Sequence, residues 1–422
     1  MPNIRDSLRD FNPWWRDAFT IEFKEREIYQ KIQKYIPLPQ IIAFTGIRRI
    51  GKTTLLFKIV EDAIKNGFNP QNIVYFSFDE YPSVDIKKII NEYEELMSKN
   101  IRKDKYLFLL DEVQKLANWE AQVKVIYDLF KNIKIFLSGS ESLFVRKGAR
   151  ESLAGRLFEF QVEPLSFKEF LLFQEVNLAP IELYEKDLLG LFNDFILTMG
   201  FPELVGIKEK EIIKKYVRES IIEKVIYRDF QNLFKVREIA TIESLVNIFM
   251  EDPGQVVQLS DLANDLHISR HTLSAYLTYL EESFLVRKLY NFSSNRRKIE
   301  RKLKKYYPSL ISVDLLFKED NFSQSRVFEW LLINQLKPEF FWRDPYKNEV
   351  DMVLGKDKIV PVEIKFGRIK IKGMFTFLKK FKLTRGLIIT PEKEDVQRVE
   401  GKIINIVPAY KFLLKPEKYL EG

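Results

Sequence analysis

Gly46-Ile47-Arg48-Arg49-Ile50-Gly51-Lys52-Thr53 places two glycines, a lysine and a hydroxyl at the spacing G-x-x-x-x-G-K-[ST]. Glycines at those positions let the backbone turn tightly and aim its N–H groups at phosphate oxygens. A helix starting immediately afterwards points its positive end at the same charge. In such a loop Lys52 reaches the β- and γ-phosphates of a nucleotide, Thr53 offers its hydroxyl to Mg²⁺, and the backbone through Thr54 closes around the phosphates. Further along, Tyr106-Leu107-Phe108-Leu109-Leu110-Asp111-Glu112 reads as a buried strand ending in two acids. There Asp111 holds the Mg²⁺ shell, and Glu112 polarises a water for attack on the γ-phosphate. ATP with Mg²⁺ is the pair these residues specify.

A second constellation lies toward the carboxyl end. In Glu349–Leu354, a strand alternation puts Glu349, Asp351 and Val353 on one face; in Ile359–Phe366, Pro361, Glu363 and Lys365 share a face. A hairpin through Gly355-Lys356-Asp357-Lys358 brings Asp351, Glu363 and Lys365 together. Two carboxylates bind Mg²⁺ or Mn²⁺, and a neighbouring lysine orients a hydrolytic water or stabilises the phosphorane charge. Glu329, in a helix over Gln324–Leu336, adds a third acid. The same charges can instead pair among themselves, leaving a fold that binds DNA or simply packs.

The elements that must position these residues follow from the hydrophobic pattern. Apolar runs at Ile41–Thr45, Ile73–Phe78, Tyr106–Leu110 and Ile133–Ser138 alternate with amphipathic helical stretches, the pattern of a parallel sheet with crossover helices. The chain is therefore α/β in its first part. From Ser166 to about Val236 it is helical, and from about Ile239 it reads as short helices ending in a basic stretch. Strands return at Phe340–Arg343, Val350–Leu354, Ile359–Phe366 and Gly386–Thr390. Ser138 ends its strand, where a serine either senses the γ-phosphate or merely finishes the strand. Arg156, in Leu153-Ala154-Gly155-Arg156, either reaches a neighbouring copy in a homo-oligomer as an arginine finger or makes a local salt bridge.

Leu259–Leu266, His267-Ile268 and Ser269 to about Glu282 read as helix, tight turn, helix. Ser269 caps the second helix, and Leu273, Tyr276, Leu277 and Leu280 form its inward stripe. Arg270, His271, Ser274 and Thr278 face outward and can enter a DNA groove, although such modules also pack on a helical lid. Val286–Tyr307 follows, with nine basic residues against the single acid Glu300, equal to the whole chain's net charge of +8. With Tyr290, Phe292, Tyr306 and Tyr307 interleaved, it reads as a wing that tracks DNA phosphates rather than as a merely solvated face.

Composition removes several alternatives. The 422 residues contain no cysteine and two histidines, His267 and His271, which excludes disulfide scaffolds, thiolate metal sites, cysteine nucleophiles and multi-histidine centres. Charged residues make up 30% and hydrophobic ones 46%, as in a soluble globular chain of two or more domains. No apolar run reaches membrane-span length and the first residues lack a signal-peptide core, so a cytoplasmic protein without a membrane partner is expected.

In the order GIRRIGKTT, FLLDEVQ, LSGSESL, LAGRL, EPLSFKEFL and GFPELV, the chain resembles the archaeal and bacterial AAA+ ATPases of the STAND-like branch. The likeness covers roughly Phe23 to Leu204. It implies that Arg26 and Pro202 lie near the nucleotide, and that a strand is added between the phosphate-loop strand and the Asp111 strand. Ser138 stands where relatives often carry threonine. The carboxyl-terminal order of helix, three strands, helix and strand resembles the PD-(D/E)xK nuclease core, with Asp351…Glu363-x-Lys365 matching its metal-binding pattern. The expected organisation is a P-loop ATPase domain over 1–165 with an arm over 1–22, a helical lid over 166–236, a winged helix with a basic wing over 237–308, and a restriction-endonuclease-like α/β domain over 309–422.

Overall fold

A computed structural model describes residues 3–139, 152–224, 239–295, 297, 299, 303–355 and 358–420. The chain divides into two compact units, Met1–Pro164 and Leu165–Gly422.

The first unit is built on five parallel strands: β1 (Ile41–Thr45), β2 (Ile73–Ser77), β3 (Tyr106–Asp111), β4 (Ile133–Ser138) and β5 (Leu157–Gln161). Their order across the sheet is β2-β3-β4-β1-β5. This is the α/β sheet of a P-loop NTPase, with β4 inserted between the phosphate-loop strand and the Asp111 strand. Every residue of β1 and β3 is buried. Both faces of the sheet are therefore covered, which explains why these strands read as continuous apolar runs rather than alternating ones. All five strands are parallel, so the residues that follow β1, β3 and β4 emerge at one edge.

β2 ends the sheet, and an unpaired edge needs cover. The amino-terminal residues supply it. Asn12 accepts from Tyr75 N at 2.7 Å and donates to Tyr75 O at 2.9 Å, imitating a paired strand residue with its side-chain amide. Trp14 and Trp15 both donate their indole N–H to Ile73 O. These contacts hold Tyr75, whose hydroxyl enters the candidate site.

The second unit begins with the helix Phe167–Phe173, closed by a capping box in which Ser166 and Glu169 satisfy each other's backbone N–H groups. Phe167 and Phe170 pack on Phe192 and Phe195 of the helix Glu185–Thr198. A nine-stranded mixed sheet follows: β6 (Gln255–Val257), β7 (Val286–Asn291), β8 (Lys304–Pro308), β9 (Phe340–Arg343), β10 (Glu349–Leu354), β11 (Val360–Ile364), β12 (Arg385–Thr390), β13 (Asp395–Val399) and β14 (Lys402–Pro408). Its order is β13-β14-β12-β11-β10-β9-β7-β8-β6.

Two expectations change here. The division at residue 308 cuts a continuous sheet, because β7 pairs in parallel with β9 through Tyr290–Phe340 and Asn291–Phe341. Asn291 reinforces the join, donating to Arg343 O and accepting from Arg343 N. The basic stretch, expected to close a run of short helices, contains the antiparallel pair β7–β8. Lys288 and Tyr290 in β7, and Lys305 and Tyr307 in β8, stand two residues apart and so share a strand face. Arg296, Lys298, Glu300, Arg301 and Lys302 of that stretch lie outside the described residues, as do Lys356 and Asp357 of the β10–β11 turn and Ser140–Leu143 of the LSGSESL motif.

Candidate functional site

Between β1 and the helix Lys52–Lys65, the loop Gly46–Gly51 needs glycine at both ends. Gly46 sits at φ 139°, and a Cβ there would lie 2.3 Å from Val162 O and 2.6 Å from Ile50 Cδ1. Gly51 sits at φ 95° and serves as the residue before the helix. Ile47 and Ile50 are buried, which anchors the loop from below. The buried Lys52 ammonium donates to Gly46 O at 2.8 Å and Ile47 O at 2.9 Å, so it lies across the mouth of its own loop.

Asp111, at the end of β3, gathers the opposing side chains. Its Oδ2 accepts from Thr53 Oγ1 at 2.7 Å and from Tyr75 OH at 2.8 Å. Its Oδ1 accepts from Glu112 N at 3.0 Å and from the Ser138 hydroxyl. Tyr75 from the middle of β2 and the residues ending β3 and β4 thus meet the first turn of the phosphate-loop helix at one carboxylate. Tyr75 belongs to this group although the sequence reading did not include it. A tyrosine within an apolar strand reads as core, and its partner is visible only once β2 lies beside β3. The Thr53 hydroxyl and Asp111 carboxylate suit a magnesium ion, which takes one or two protein oxygens and fills its shell with phosphate and water.

Glu112 follows in a left-handed conformation at φ 53° and accepts from Gln114 Nε2 at 2.6 Å. Burial pushes its carboxyl above the usual glutamate range, with Asp111 adding to the rise while Lys52 and Arg48 oppose it. Arg26 is buried and donates to Ile50 O at 2.9 Å and Glu163 O at 2.7 Å, which ties the phosphate loop to the residues after β5. Arg156 pairs with Asp128 through Nε at 3.0 Å and Nη2 at 3.3 Å, the local salt bridge of the two alternatives. Pro202 lies in the second unit, opening the short turn Pro202–Leu204.

The carboxyl-terminal acids do converge. β10 and β11 pair antiparallel with Met352 opposite Val362, and Asp351 Oδ2 accepts from Ile364 N at 2.7 Å. Glu363 meets Lys365 Nζ at 2.6 Å. The ammonium of Lys305, from β8, stands among the same acids. It lies 2.5 Å from Glu349, 3.4 Å from Glu329 and 3.9 Å from Asp351. Tyr307, two residues on and on the same face of β8, donates to Glu329 at 2.5 Å. Burial by itself would lower the Lys305 pKa, but Tyr307, Glu329, Glu349 and Asp351 more than reverse this and hold it well above that of an ordinary lysine. Asp351 is pushed up, chiefly by burial and then by Glu329.

Among the described residues no group of three or more His, Cys, Asp or Glu side chains is arranged to hold a metal ion. Glu329, Asp351 and Glu363, expected as metal ligands, are instead arranged around ammonium groups. An ammonium, that of Lys305, lies among these acids.

The second helix of the helix-turn-helix spans Arg270–Glu282, and Ser269 caps it by accepting from Thr272 N. His267 holds the turn at φ 54°. Leu273, Tyr276, Leu277 and Leu280 are buried while Arg270, His271, Ser274 and Thr278 are exposed. Within the basic stretch, several of the described residues are engaged inside the protein. Lys305 is buried, Lys288 pairs with Glu281 at 2.5 Å, and Tyr306 and Tyr307 are core residues. Phe292 packs on Phe340 and Phe381. Tyr306 and Tyr307 thus fill the interior, whereas Tyr290 and Phe292 are half-buried.

Residues 38–171 match the family model of the AAA domain. With the five-stranded sheet and the phosphate loop, this match supports a P-loop NTPase fold of ATPase type for the first unit. Residues 189–309 and 326–412 match two domains of unknown function, DUF8612 and DUF4143. An uncharacterized protein of Methanocaldococcus jannaschii is 29% identical, covering 94% of this chain and 93% of its own. A second from the same organism is 28% identical over 91% and 87%. The crystal structure of Cdc6p from Pyrobaculum aerophilum is similar over 76% of this chain and 98% of its own, at 12% identity and a TM-score of 0.32, too low to add to the family match. No helix among the described residues is long and apolar enough to cross a membrane.

Proposed function

We propose that this protein is an ATP-dependent switch that binds ATP with Mg²⁺ at Gly46–Thr54, hydrolyses it, and thereby controls engagement of DNA by the helix-turn-helix of a winged-helix segment. The observation that carries the ATPase reading is the convergence of Thr53, Tyr75, Ser138 and Glu112 N on Asp111 beside the Lys52 loop. When bound, Mg²⁺ would neutralise charge developing on the phosphates. Lys52 would exchange its two carbonyl partners for phosphate oxygens, and Ser138 and Arg26 would hold the edges of the site. Glu112, with its raised pKa, has the position and basicity to take a proton from an attacking water. The bidentate Asp128 pair favours a local role for Arg156 over a finger reaching another copy.

DNA engagement is supported by the outward row Arg270, His271, Ser274 and Thr278 on a capped second helix. Of the two readings of the carboxyl-terminal nuclease-like segment, cutting and silent, the Lys305 contacts favour the silent one. The cysteine-free chain suits a reducing cytoplasm. Phosphate release and nucleotide binding test the ATPase reading together. Lys52→Ala should lose ATP binding, whereas Glu112→Gln should bind ATP and lose turnover; equal affinity in the two variants would overturn the assignment.

A further inference from the structure

We propose that the Lys305 ammonium is the resident cation of the carboxylate cluster on β10 and β11, taking the place of a divalent metal, so that the native segment binds no metal there. This deepens the silent reading of the carboxyl-terminal segment and does not depend on the ATPase reading.

Three observations carry it. First, Lys305 is only 4% exposed and comes from β8, so it is built into the sheet rather than laid over the cluster from solvent. The acids it meets come from elsewhere in the chain, Glu329 from the helix Asn321–Leu336 and Glu349 with Asp351 from β10. One ammonium thus joins three elements, as a coordinated ion would. A lysine stem is flexible and apolar, and β8 threads it through the sheet's interior with the ring of Tyr307 beside it.

Second, the charges come within one of closing without a metal. Glu329, Glu349, Asp351 and Glu363 are met by Lys305, Lys365 and Arg343, the last 3.6 Å from Glu349. Four carboxylates against three fixed cations leave a single negative charge in the cluster. A divalent ion added to this set would meet three fixed cations and an excess of positive charge.

Third, the acceptors are largely engaged. Asp351 Oδ2 takes the Ile364 N–H, Glu329 Oε1 takes the Tyr307 hydroxyl, and Glu363 Oε1 takes Lys365. Glu363 Oε2 is buried without a partner.

The test uses the full, nucleotide-free chain and Mn²⁺ alone as the probe, with the free aquo ion followed by electron paramagnetic resonance. The wild type and Asp351→Asn should give superimposable titrations, with any weak phosphate-loop binding common to both. Lys305→Met removes the charge and keeps most of the stem. It should gain one Mn²⁺ site at least about tenfold tighter than any wild-type binding, and adding Asp351→Asn should abolish that gain. Wild-type Mn²⁺ binding that Asp351→Asn removes would overturn both this inference and the silent reading. A folded Lys305→Met that gains no site would overturn the inference alone. If Lys305→Met is unfolded in chelator, circular dichroism gives the same answer, with refolding on Mn²⁺ supporting the inference and failure to refold sinking it. Glu363→Gln serves in place of Asp351→Asn should the latter not fold.

Discussion

Thr53 and Asp111 are joined by a 2.7 Å hydrogen bond from the threonine hydroxyl to Oδ2. The two groups expected to share a magnesium ion are therefore in contact, one at the start of a helix and the other at the end of a strand. Tyr75 donates to the same oxygen at 2.8 Å and fixes the carboxylate from the sheet edge. Thr53 and Asp111 would hold Mg²⁺ when it is bound, and Tyr75 would keep the Asp111 carboxylate oriented. Thr53→Ala should lower Mg²⁺-supported turnover by on the order of 10²-fold, the scale of losing one charge-stabilising group. Thr53→Ser should recover most of it, and Tyr75→Phe should cost far less than Thr53→Ala. Steady-state phosphate release across a magnesium titration reads all three.

The acid limb of ATP hydrolysis should sit above the ordinary carboxylate range. Glu112 acts as a base only when deprotonated, and burial raises its pKa. As pH falls, it is protonated earlier than a solvent-exposed glutamate, so activity declines while exposed carboxylates remain ionised. A profile of kcat/KM against pH checks this. The limb should vanish in the residual activity of Glu112→Gln; an unchanged limb would assign it to another group.

Glu61 gives the first unit a stability term of opposite sign. It accepts from Lys58 at 2.7 Å and Lys65 at 2.9 Å, and these bonds lower its pKa from 4.5 to about 2. The folded value lies below the unfolded one, so the stabilisation is complete above about 4.5 and disappears as pH falls to about 2. Lys65 is mostly exposed, which weakens its share through solvent screening. Glu61→Gln should therefore cost about 1–3 kcal/mol near neutral pH and almost nothing at the acid end. Urea unfolding of the two proteins across that range measures it.

The phosphate loop and the strands carrying Asp111 and Ser138 were legible in the sequence because burial on both faces leaves uninterrupted apolar runs. The short β5 and the mostly exposed β13 lack such runs and were not expected. The acids Asp351 and Glu363 were legible from strand alternation together with a tight turn. Lys305 was counted with the basic wing, since its neighbours are lysines and its sequence position follows a helix-turn-helix. The alternation of Lys305 with Tyr307 was present in the sequence. What it could not disclose was the parallel pairing of β7 with β9, which joins this hairpin to the sheet that bears the acids. Long-range pairing between strands of similar composition is set by the assembled sheet, not by either segment.

Arg156 should prove structural. Its pair with Asp128 involves two nitrogens but is about a third exposed on each side, so it belongs to the class of surface ion pairs. Arg156→Ala and Asp128→Ala should each lower stability only slightly, and the double variant by less than their sum. Turnover should stay within about twofold of wild type, whereas loss of an arginine finger costs about 10³-fold or more. A drop of that size in Arg156→Ala but not in Asp128→Ala would restore the finger and imply an assembly of copies.

Duplex DNA binding should depend on the helix Arg270–Glu282 more than on the lysines of the hairpin. Arg270 stands at its exposed start beside His271, while Lys288 and Lys305 are already paired with Glu281 and Glu349. Only charges able to leave their protein partners release counterions from the phosphate backbone. Arg270→Ala should then weaken duplex binding by about tenfold and reduce the slope of log affinity against log salt by about 1 if Arg270 touches phosphate. Lys288→Met should leave that slope nearly unchanged. Fluorescence anisotropy of a labelled duplex over a salt series reads both. Affinity independent of salt, or an Arg270→Ala curve that overlays the wild type, would remove this face as the DNA contact.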